Sequence, residues 1–97
     1  GKLSLAGYDD GRRLLIVDGR SPFNPPEKIV LEGLERLVCL ACADVKRESE
    51  LEELARSAGE KSSTRLSQTL ADLIGKGLLL REKDMYLGLT VLAVDSR

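Results

Sequence analysis

The chain contains no histidine, and this absence excludes several kinds of functional site. A histidine-based catalytic triad, a histidine metal site and a histidine pH switch are all ruled out. The sequence also lacks an apolar run close to the ~20 residues that a membrane-spanning helix needs. No stretch of it has the basic, apolar and small-residue order of a secretory signal. We therefore expect no membrane partner.

A basic excess is missing as well. The chain has 15 lysine and arginine residues against 16 aspartate and glutamate residues, which gives a formal net charge of −1. DNA-binding domains usually carry more basic than acidic residues, because the release of counterions from phosphates supplies much of their affinity. Nucleic acid is therefore not the expected partner.

What is present is the composition of an ordinary globular domain. Of the 97 residues, 42% are hydrophobic and 32% are charged, and a chain of this length, residues 1–97, is expected to fold as a single domain. Because it begins with Gly1-Lys2 rather than methionine, we expect it to be the C-terminal fragment of a larger protein. Two cysteines without a secretory signal are typical of a protein in the reducing cytoplasm.

The first third of the chain has the pattern of short strands. Residues 2–18 are predicted to form a β-hairpin with Asp10-Gly11 as its turn, because glycine accepts the positive φ that tight hairpin turns require. All three prolines lie within residues 19–27. We predict a loop there, since proline donates no hydrogen bond to a strand ladder. A short strand, Lys28 to Leu31, follows.

Residues 28–77 are predicted to hold this short strand and three helices. The first helix follows the strand directly and is expected to be the central buried one, because its apolar residues recur at helical spacing. The second helix is expected to begin with a capping box made by Ser49 and Glu52. The third helix is predicted to start at Ser62 or Ser63 and to bury an apolar stripe that ends at Leu73 and Ile74.

Residues 78–94 are predicted to form a second hairpin around Lys83-Asp84. The order of elements favours an α+β fold. It is that of a winged helix, with a three-helix core and a C-terminal β-wing, preceded by the N-terminal β-hairpin. The core is expected to contain Leu14, Ile16, Leu34, Leu37, Val38, Leu51, Leu54, Leu66, Leu70, Leu73 and Leu80.

Two pairs of residues have the spacing of reactive sites, but neither is expected to be catalytic or to bind metal. Cys39 and Cys42 form a C-x-x-C pair well inside the first helix, whereas a zinc site needs four ligands and a redox pair lies at a helix N-terminus. Two buried core residues are the favoured interpretation, since free cysteine is among the most buried residue types. Asp18 and Arg20 are interpreted as a local ion pair.

The third helix carries the candidate site. Its outer face is expected to present Arg65, Gln68, Thr69 and Asp72 as peptide- or partner-binding residues. Arginine and glutamine also hydrogen-bond purine edges, so the same face is compatible with a helix that reads DNA. Asp72 would then face phosphates, as would the glutamates at the start of the second helix, and this counts against DNA.

Taken together, three stretches of the chain resemble a known family. They are "LLIVDGRSP", "LEGLERLVCLACADVKRESELEEL" and "LSQTLADLIGKGLLLREKDMYLGLTV". In order and spacing they resemble the C-terminal domain of cobalamin-dependent radical S-adenosylmethionine enzymes that modify ribosomal peptides. The resemblance covers about Tyr8 to Val94 and rests on the hydrophobic pattern and on words such as the closing "YLGL". That domain is similar in turn to the winged-helix-like module that recognises leader peptides, of which the pyrroloquinoline quinone peptide chaperone is the free-standing version.

The resemblance implies a parent enzyme with a cobalamin domain and a radical domain upstream of this chain. There a C-x-x-x-C-x-x-C motif would hold a 4Fe-4S cluster with S-adenosylmethionine. The "CLAC" of this chain has the wrong spacing and count for such a motif, so no cofactor is expected to bind here.

For this chain the resemblance implies a non-catalytic domain that recognises a leader peptide or docks against the rest of the parent enzyme. An extended peptide can add to an exposed sheet edge through backbone hydrogen bonds. The leading hairpin is expected to supply the edge, and the third helix to wall the groove. The alternatives are the DNA-binding winged helix of a transcriptional regulator and a purely structural cap on the parent's barrel.

Overall fold

The computed structural model describes residues 5–92, which form seven strands and three helices in a mixed α+β fold. The elements are β1 Leu5–Asp9, β2 Arg13–Asp18, β3 Glu27–Glu32, α1 Gly33–Ala41, β4 Lys46–Arg47, α2 Glu48–Ser57, α3 Ser63–Gly75, β5 Leu79–Glu82, β6 Met85–Gly88 and β7 Val91–Leu92. The strands make two sheets, with the orders β3-β2-β1-β7 and β4-β6-β5. The predicted α+β class is confirmed. None of the helices in this range is long and apolar enough to cross a membrane.

The first sheet consists of the N-terminal hairpin and its neighbours. β1 and β2 are antiparallel, and Gly11 in their turn has a φ of 95°, which glycine tolerates and other residues rarely adopt. The Asp10 carboxylate accepts the backbone N–H groups of Arg12 and Arg13 at 2.8 and 2.7 Å. β3 pairs antiparallel along the whole of β2. Residues 2–4 of the predicted hairpin lie outside the described range.

The last described strand belongs to the first sheet and does not extend the wing. The β5–β6 hairpin turns at Lys83-Asp84 and ends at Gly88. β7 then pairs in parallel with β1, through Ala6 with Val91 and Gly7 with Leu92. The hairpin expected over residues 78–94 is therefore shorter, and residues 93–94 are outside the described range. Apolar alternation is the same in either sheet, so it did not reveal which sheet residues 91–92 join.

The core lies between the inner face of the first sheet and the three helices. Eight of the predicted core residues are buried: Leu14, Ile16, Leu34, Val38, Leu51, Leu66, Leu70 and Leu73. The prediction is wrong for Leu80, which is 54% exposed, and for Ile74, which is 39% exposed. Leu37 and Leu54 are only half-buried. Leu78 and Leu79 fill the interior instead of Leu80. The sequence did not predict this, because a run of three leucines does not reveal which of them points inward.

The predicted Ser49–Glu52 capping box is wrong, because α2 begins one residue before Ser49. Arg47 is the cap residue, and its backbone N–H donates to the Glu50 carboxylate at 3.0 Å. The cause is tertiary: β4 pairs with β6, and the backbone N–H of Glu48 donates to the carbonyl of Asp84 at 2.7 Å. β4 thus leads directly into α2, so the helix begins at Glu48 and Ser49 lies inside its first turn.

Arg20 ties the end of β2 to the segment that follows α3. Its guanidinium donates to both oxygens of the Asp18 carboxylate, at 2.9 and 2.8 Å, and to the carbonyl oxygen of Gly77 at 2.8 Å. The ion-pair interpretation of Asp18 and Arg20 is confirmed. Arg20 thereby connects the end of β2 to the backbone two residues beyond the end of α3.

We expect the free energy of unfolding to fall as the pH drops below about 4. Hydrogen bonds from Arg20 hold the pKa of Asp18 below its ordinary value of 3.8. A group with a depressed folded pKa stabilises the fold fully above its unfolded pKa, and this contribution is lost as the pH falls through the folded pKa. Urea denaturation across this pH range should show the decline in the free energy of unfolding, and Asp18→Asn should make that decline smaller. Neutralising the exposed Glu27 with Glu27→Gln is the matched control. Equal pH dependence in the two variants would contradict the assignment.

Candidate functional site

A polar cleft lies where β3 runs into α1, opposite α3. It has a volume of about 490 Å³. The β3–α1 side is lined by Glu32, Gly33, Leu34 and Glu35, and the α3 side by Arg65, Gln68, Thr69 and Asp72. All four predicted site residues therefore lie in one cleft. The acidic residues of the opposite side were not predicted as part of a site.

The β3–α1 side of the cleft is made by an abrupt change from strand to helix. Glu32 is the last residue of β3 and also the cap residue of α1, and Gly33 begins the helix with a φ of 57°. Only glycine adopts such a backbone conformation without cost, which lets the strand enter the helix with no connecting loop. The Glu32 side chain makes no capping hydrogen bond to the first turn of α1. Its carboxylate is therefore not used to cap the helix.

The α3 side of the cleft is made by a helix with one apolar stripe. Ser62 caps it by accepting the backbone N–H of Thr64 at 3.1 Å. Leu66, Leu70 and Leu73 are buried, and this places the remaining faces of the helix toward solvent and the cleft. The predicted start of the third helix at Ser62 or Ser63 agrees with this geometry.

The prediction that Thr69 lies on the exposed face is wrong, because only 4% of its surface is accessible. It stands beside Leu66, Leu70 and Leu73 on the helical wheel, so the apolar stripe draws this small side chain inward. Thr69 nevertheless lines the cleft. Thr69 is therefore the buried member of the α3 side, whereas Arg65, Gln68 and Asp72 are exposed.

The charges of the cleft differ in how far they are already paired. Glu32 lies 3.4 Å from Arg13, and Glu35 lies 3.6 Å from Lys76. Within the described part of the chain, Arg65 and Asp72 take part in no ion pair. They stand seven residues apart on α3, or about 10.5 Å along its axis at 1.5 Å per residue. The cleft thus offers a ligand one free cation and one free anion, two helical turns apart.

A second surface of interest is the outer face of the β4-β6-β5 sheet. Val45, Leu80, Met85 and Leu87 are exposed there around a depression of about 470 Å³. Leu80 and Leu87 are partners across the β5–β6 ladder. The inner face is held by Tyr86, whose buried hydroxyl donates to the Glu48 carboxylate at 2.8 Å. Sequence reasoning missed this surface because it placed Leu80 in the core.

Cys39 and Cys42 are free thiols and are both buried, which confirms that they are core residues. Burial raises the pKa of Cys42 to about 11, and it also raises the pKa of Cys39. Among residues 5–92, no three histidine, cysteine or acidic side chains lie close enough together to hold a metal ion. Iron–sulfur clusters are held by several cysteine thiolates. Cys39 lies in α1 and Cys42 is the cap residue that follows it, and two buried thiols alone do not supply the ligands of the cluster that the family resemblance implies for the parent enzyme.

We expect both thiols to react slowly with iodoacetamide in the folded protein. The thiolate is the reactive species, and a pKa of about 11 in place of 9.0 lowers the thiolate fraction of Cys42 by about a hundredfold near neutral pH. Burial slows access further. Mass spectrometry of timed reactions should show labelling only as fast as the protein unfolds, with the urea-denatured chain as the control. Native labelling at the denatured rate would contradict the buried assignment.

Comparison with models of protein families, with curated proteins and with solved structures found no match. The function is therefore inferred from the geometry of the cleft. That geometry brings the predicted residues of α3 together with the end of β3, which the sequence pattern did not connect with them. The positive φ of Gly33 lets β3 lead directly into α1, and α1 packs against α3, so the end of β3 lies beside that helix.

Proposed function

We propose that the chain is a non-catalytic peptide-recognition domain. An extended peptide adds to β3, and its side chains enter the cleft that α3 walls. The observation that carries this proposal is the continuity of β3 with the cleft, because Glu32 is both the last residue of the strand and part of the cleft lining. Backbone hydrogen bonds along such an edge supply affinity, and adjoining pockets supply selectivity.

β3 is favoured over the leading hairpin as the edge that receives a peptide. Both hairpin strands have neighbours on each side, since β2 lies between β3 and β1, and β1 lies between β2 and β7. In the described range β3 pairs only with β2. Alternate residues of β3 therefore direct their N–H and C=O groups to the open side, which is the template that an added strand needs. The edge is thus proposed to be the third strand, which the sequence pattern did not single out.

The order and pairing of the later elements support a winged helix as the finer description of the fold. α1, β4, α2 and α3 are followed by the β5–β6 hairpin, and β4 completes a three-stranded sheet with that hairpin. The first three strands are then an addition in front of the winged helix. This arrangement supports the resemblance to leader-peptide modules. The chain would accordingly serve a larger, cobalamin-dependent radical S-adenosylmethionine enzyme by holding a leader peptide, while cofactors bind elsewhere in that enzyme.

The charge of the cleft favours a peptide over DNA. Arg65 and Gln68, the best base readers of α3, share the cleft with three carboxylates, those of Glu32, Glu35 and Asp72. Each of these carboxylates would repel the phosphates of a DNA molecule brought to this face. DNA binding is therefore expected to stay in the weak, non-specific range of tens of micromolar or more at physiological salt.

The experiment that tests the proposal is selection of a displayed random dodecapeptide library on the folded chain. The best binders are then examined by amide hydrogen exchange. We expect new protection at alternate amides of β3 and at α3, because an added strand bonds only every second residue of its neighbour. Protection confined to the β4-β6-β5 sheet would contradict the proposal. A random-sequence DNA duplex serves as the competing ligand, and submicromolar binding of that duplex would also contradict it.

Two tryptophan variants provide a matched control for that experiment. Gln68→Trp fills the cleft and should abolish peptide binding. Ser67→Trp places the same side chain at the neighbouring exposed position of α3, which lines a different depression with Leu70 and Ala71. Binding by the second variant should remain near that of the unmodified chain. Equal loss in both variants would mean that the cleft is not the binding surface.

A further inference from the structure

The charges of α3 are arranged against the electrostatics of the helix. Arg65 lies in the first turn, where the partial charge of the helix end is positive, and Asp72 lies where the last turn begins, near the negative end. The helix has no acidic residue in its first turn and no basic residue in its last turn to compensate. Violations of a local stability rule tend to occur at functional sites. Both of these residues line the cleft.

We propose that Arg65 and Asp72 read a pair of opposite charges on the bound peptide. An acidic residue of the peptide lies beside Arg65, and a basic residue lies beside Asp72. The inference rests on the proposed function, and it adds a substrate class: peptides with an acidic and a basic residue in a fixed order. Because the two sites differ in sign, they also set the direction in which the peptide lies.

The spacing of the two charges limits where they occur in the peptide. Arg65 and Asp72 are separated by about 10.5 Å along α3. Side chains on one face of an extended strand repeat every second residue, or about 6.6 Å, and four residues span about 13 Å. The charged residues of the peptide are therefore two or four positions apart on the face that meets α3.

The remaining polar groups of the cleft are compatible with a bound peptide that carries these two charges. Glu32 and Glu35 each have a basic neighbour, Arg13 and Lys76, so Asp72 is the carboxylate of the cleft that has no ion pair among residues 5–92. Thr69 lies between the two charge sites and is almost completely buried.

The test is a charge swap, Arg65→Asp combined with Asp72→Arg. Both positions are exposed, and the swap places each charge at the helix end that favours it, so the variant is expected to fold. The random dodecapeptide library is selected separately on the unmodified chain and on the swap variant. Peptides enriched on the unmodified chain should carry an acidic and a basic residue two or four positions apart. Those enriched on the swap variant should carry them in the reverse order.

Binding constants of individual peptides then make the result quantitative. The best peptide and a version with its two charges exchanged are measured by fluorescence anisotropy against both proteins. We expect the mismatched combinations to bind about fivefold or more weakly, as two exposed ion pairs would give, and the double exchange to restore binding.

Each outcome separates this inference from the proposed function. Enriched peptides that protect β3 but show no ordered charge pair, or the same order on both proteins, would overturn the charge reading while leaving peptide recognition intact. A library that yields no peptide protecting β3 would overturn both. Reversal of the order on the swap variant would support both.

Discussion

Replacing Leu73 by alanine is expected to lower the free energy of unfolding by about 2 to 5 kcal/mol. Leu73 lies in α3 and is completely buried among the core residues. The substitution removes apolar surface from the core and also leaves a cavity, because the surrounding side chains relax only partly into the space. A small domain has only about 5 to 15 kcal/mol of stability in total. The variant should therefore unfold at a much lower urea concentration.

Leu80→Ala is the matched control, because the same atoms are removed from a side chain that is 54% exposed. Its effect should be much smaller than that of Leu73→Ala. Urea titration followed by circular dichroism measures both variants. Similar losses at the two positions would mean that Leu80 is buried against something and that the leucines of this region are placed incorrectly. Leu73 faces the core and does not line the cleft. The Leu73 variant should therefore lose peptide binding only to the extent that it unfolds.

Replacing Gly7 by valine is the second change with a large expected effect, about 1 to 3 kcal/mol of destabilisation. Gly7 is buried on β1, and a Cβ atom there would lie only 2.8 Å from the Thr90 methyl carbon and 3.1 Å from a methyl group of Leu92. A third neighbour, Leu14, closes the space at 3.3 Å. The β-branched Thr90 has little rotamer freedom with which to retreat. The added side chain must therefore push β7 away from β1.

The neighbouring Ala6 supplies the control for this prediction. Ala6 alternates with Gly7 and so points to the other face of the sheet, where it is half-buried. Ala6→Val should change stability little, since β-branched residues suit a strand. Hydrogen exchange should show lost protection at Val91 and Leu92 in the Gly7 variant alone. A Gly7→Val protein with wild-type stability and intact protection there would contradict the close packing of β1 against residues 90–92.

Elements governed by local chemistry were predictable from the sequence. Ser62 and the leucine stripe define α3, because a cap residue and a helical period act within a few turns of chain. Asp10-Gly11 defines the first turn for the same kind of reason. Three of the four candidate site residues, Arg65, Gln68 and Asp72, are exposed on that helix as expected.

Features governed by contacts between distant segments were not predictable. The start of α2 follows the pairing of β4 with β6. The place of β7 in the first sheet depends on its pairing with β1, about 85 residues earlier in the chain. Local pattern carries no information on either pairing. The burial of Thr69 likewise depends on what packs beside α3. The acidic side of the cleft was missed because Glu32 and Glu35 have no sequence signal that links them to a helix some 30 residues later.

The parallel pairing of β1 with β7 has a consequence for how the domain can be attached to neighbouring polypeptide. Leu5 and Leu92, the first and last described residues, lie in adjacent strands at one edge of the sheet. β3 is the strand at the opposite edge, three strand spacings or about 14 Å from β7 and two spacings or about 9.5 Å from β1. Tethers joined at Leu5 and Leu92 would therefore leave from the edge remote from β3. A fusion partner held by a short tether at either position should consequently leave the approach to β3 unobstructed, so the domain can be anchored closely without being blocked.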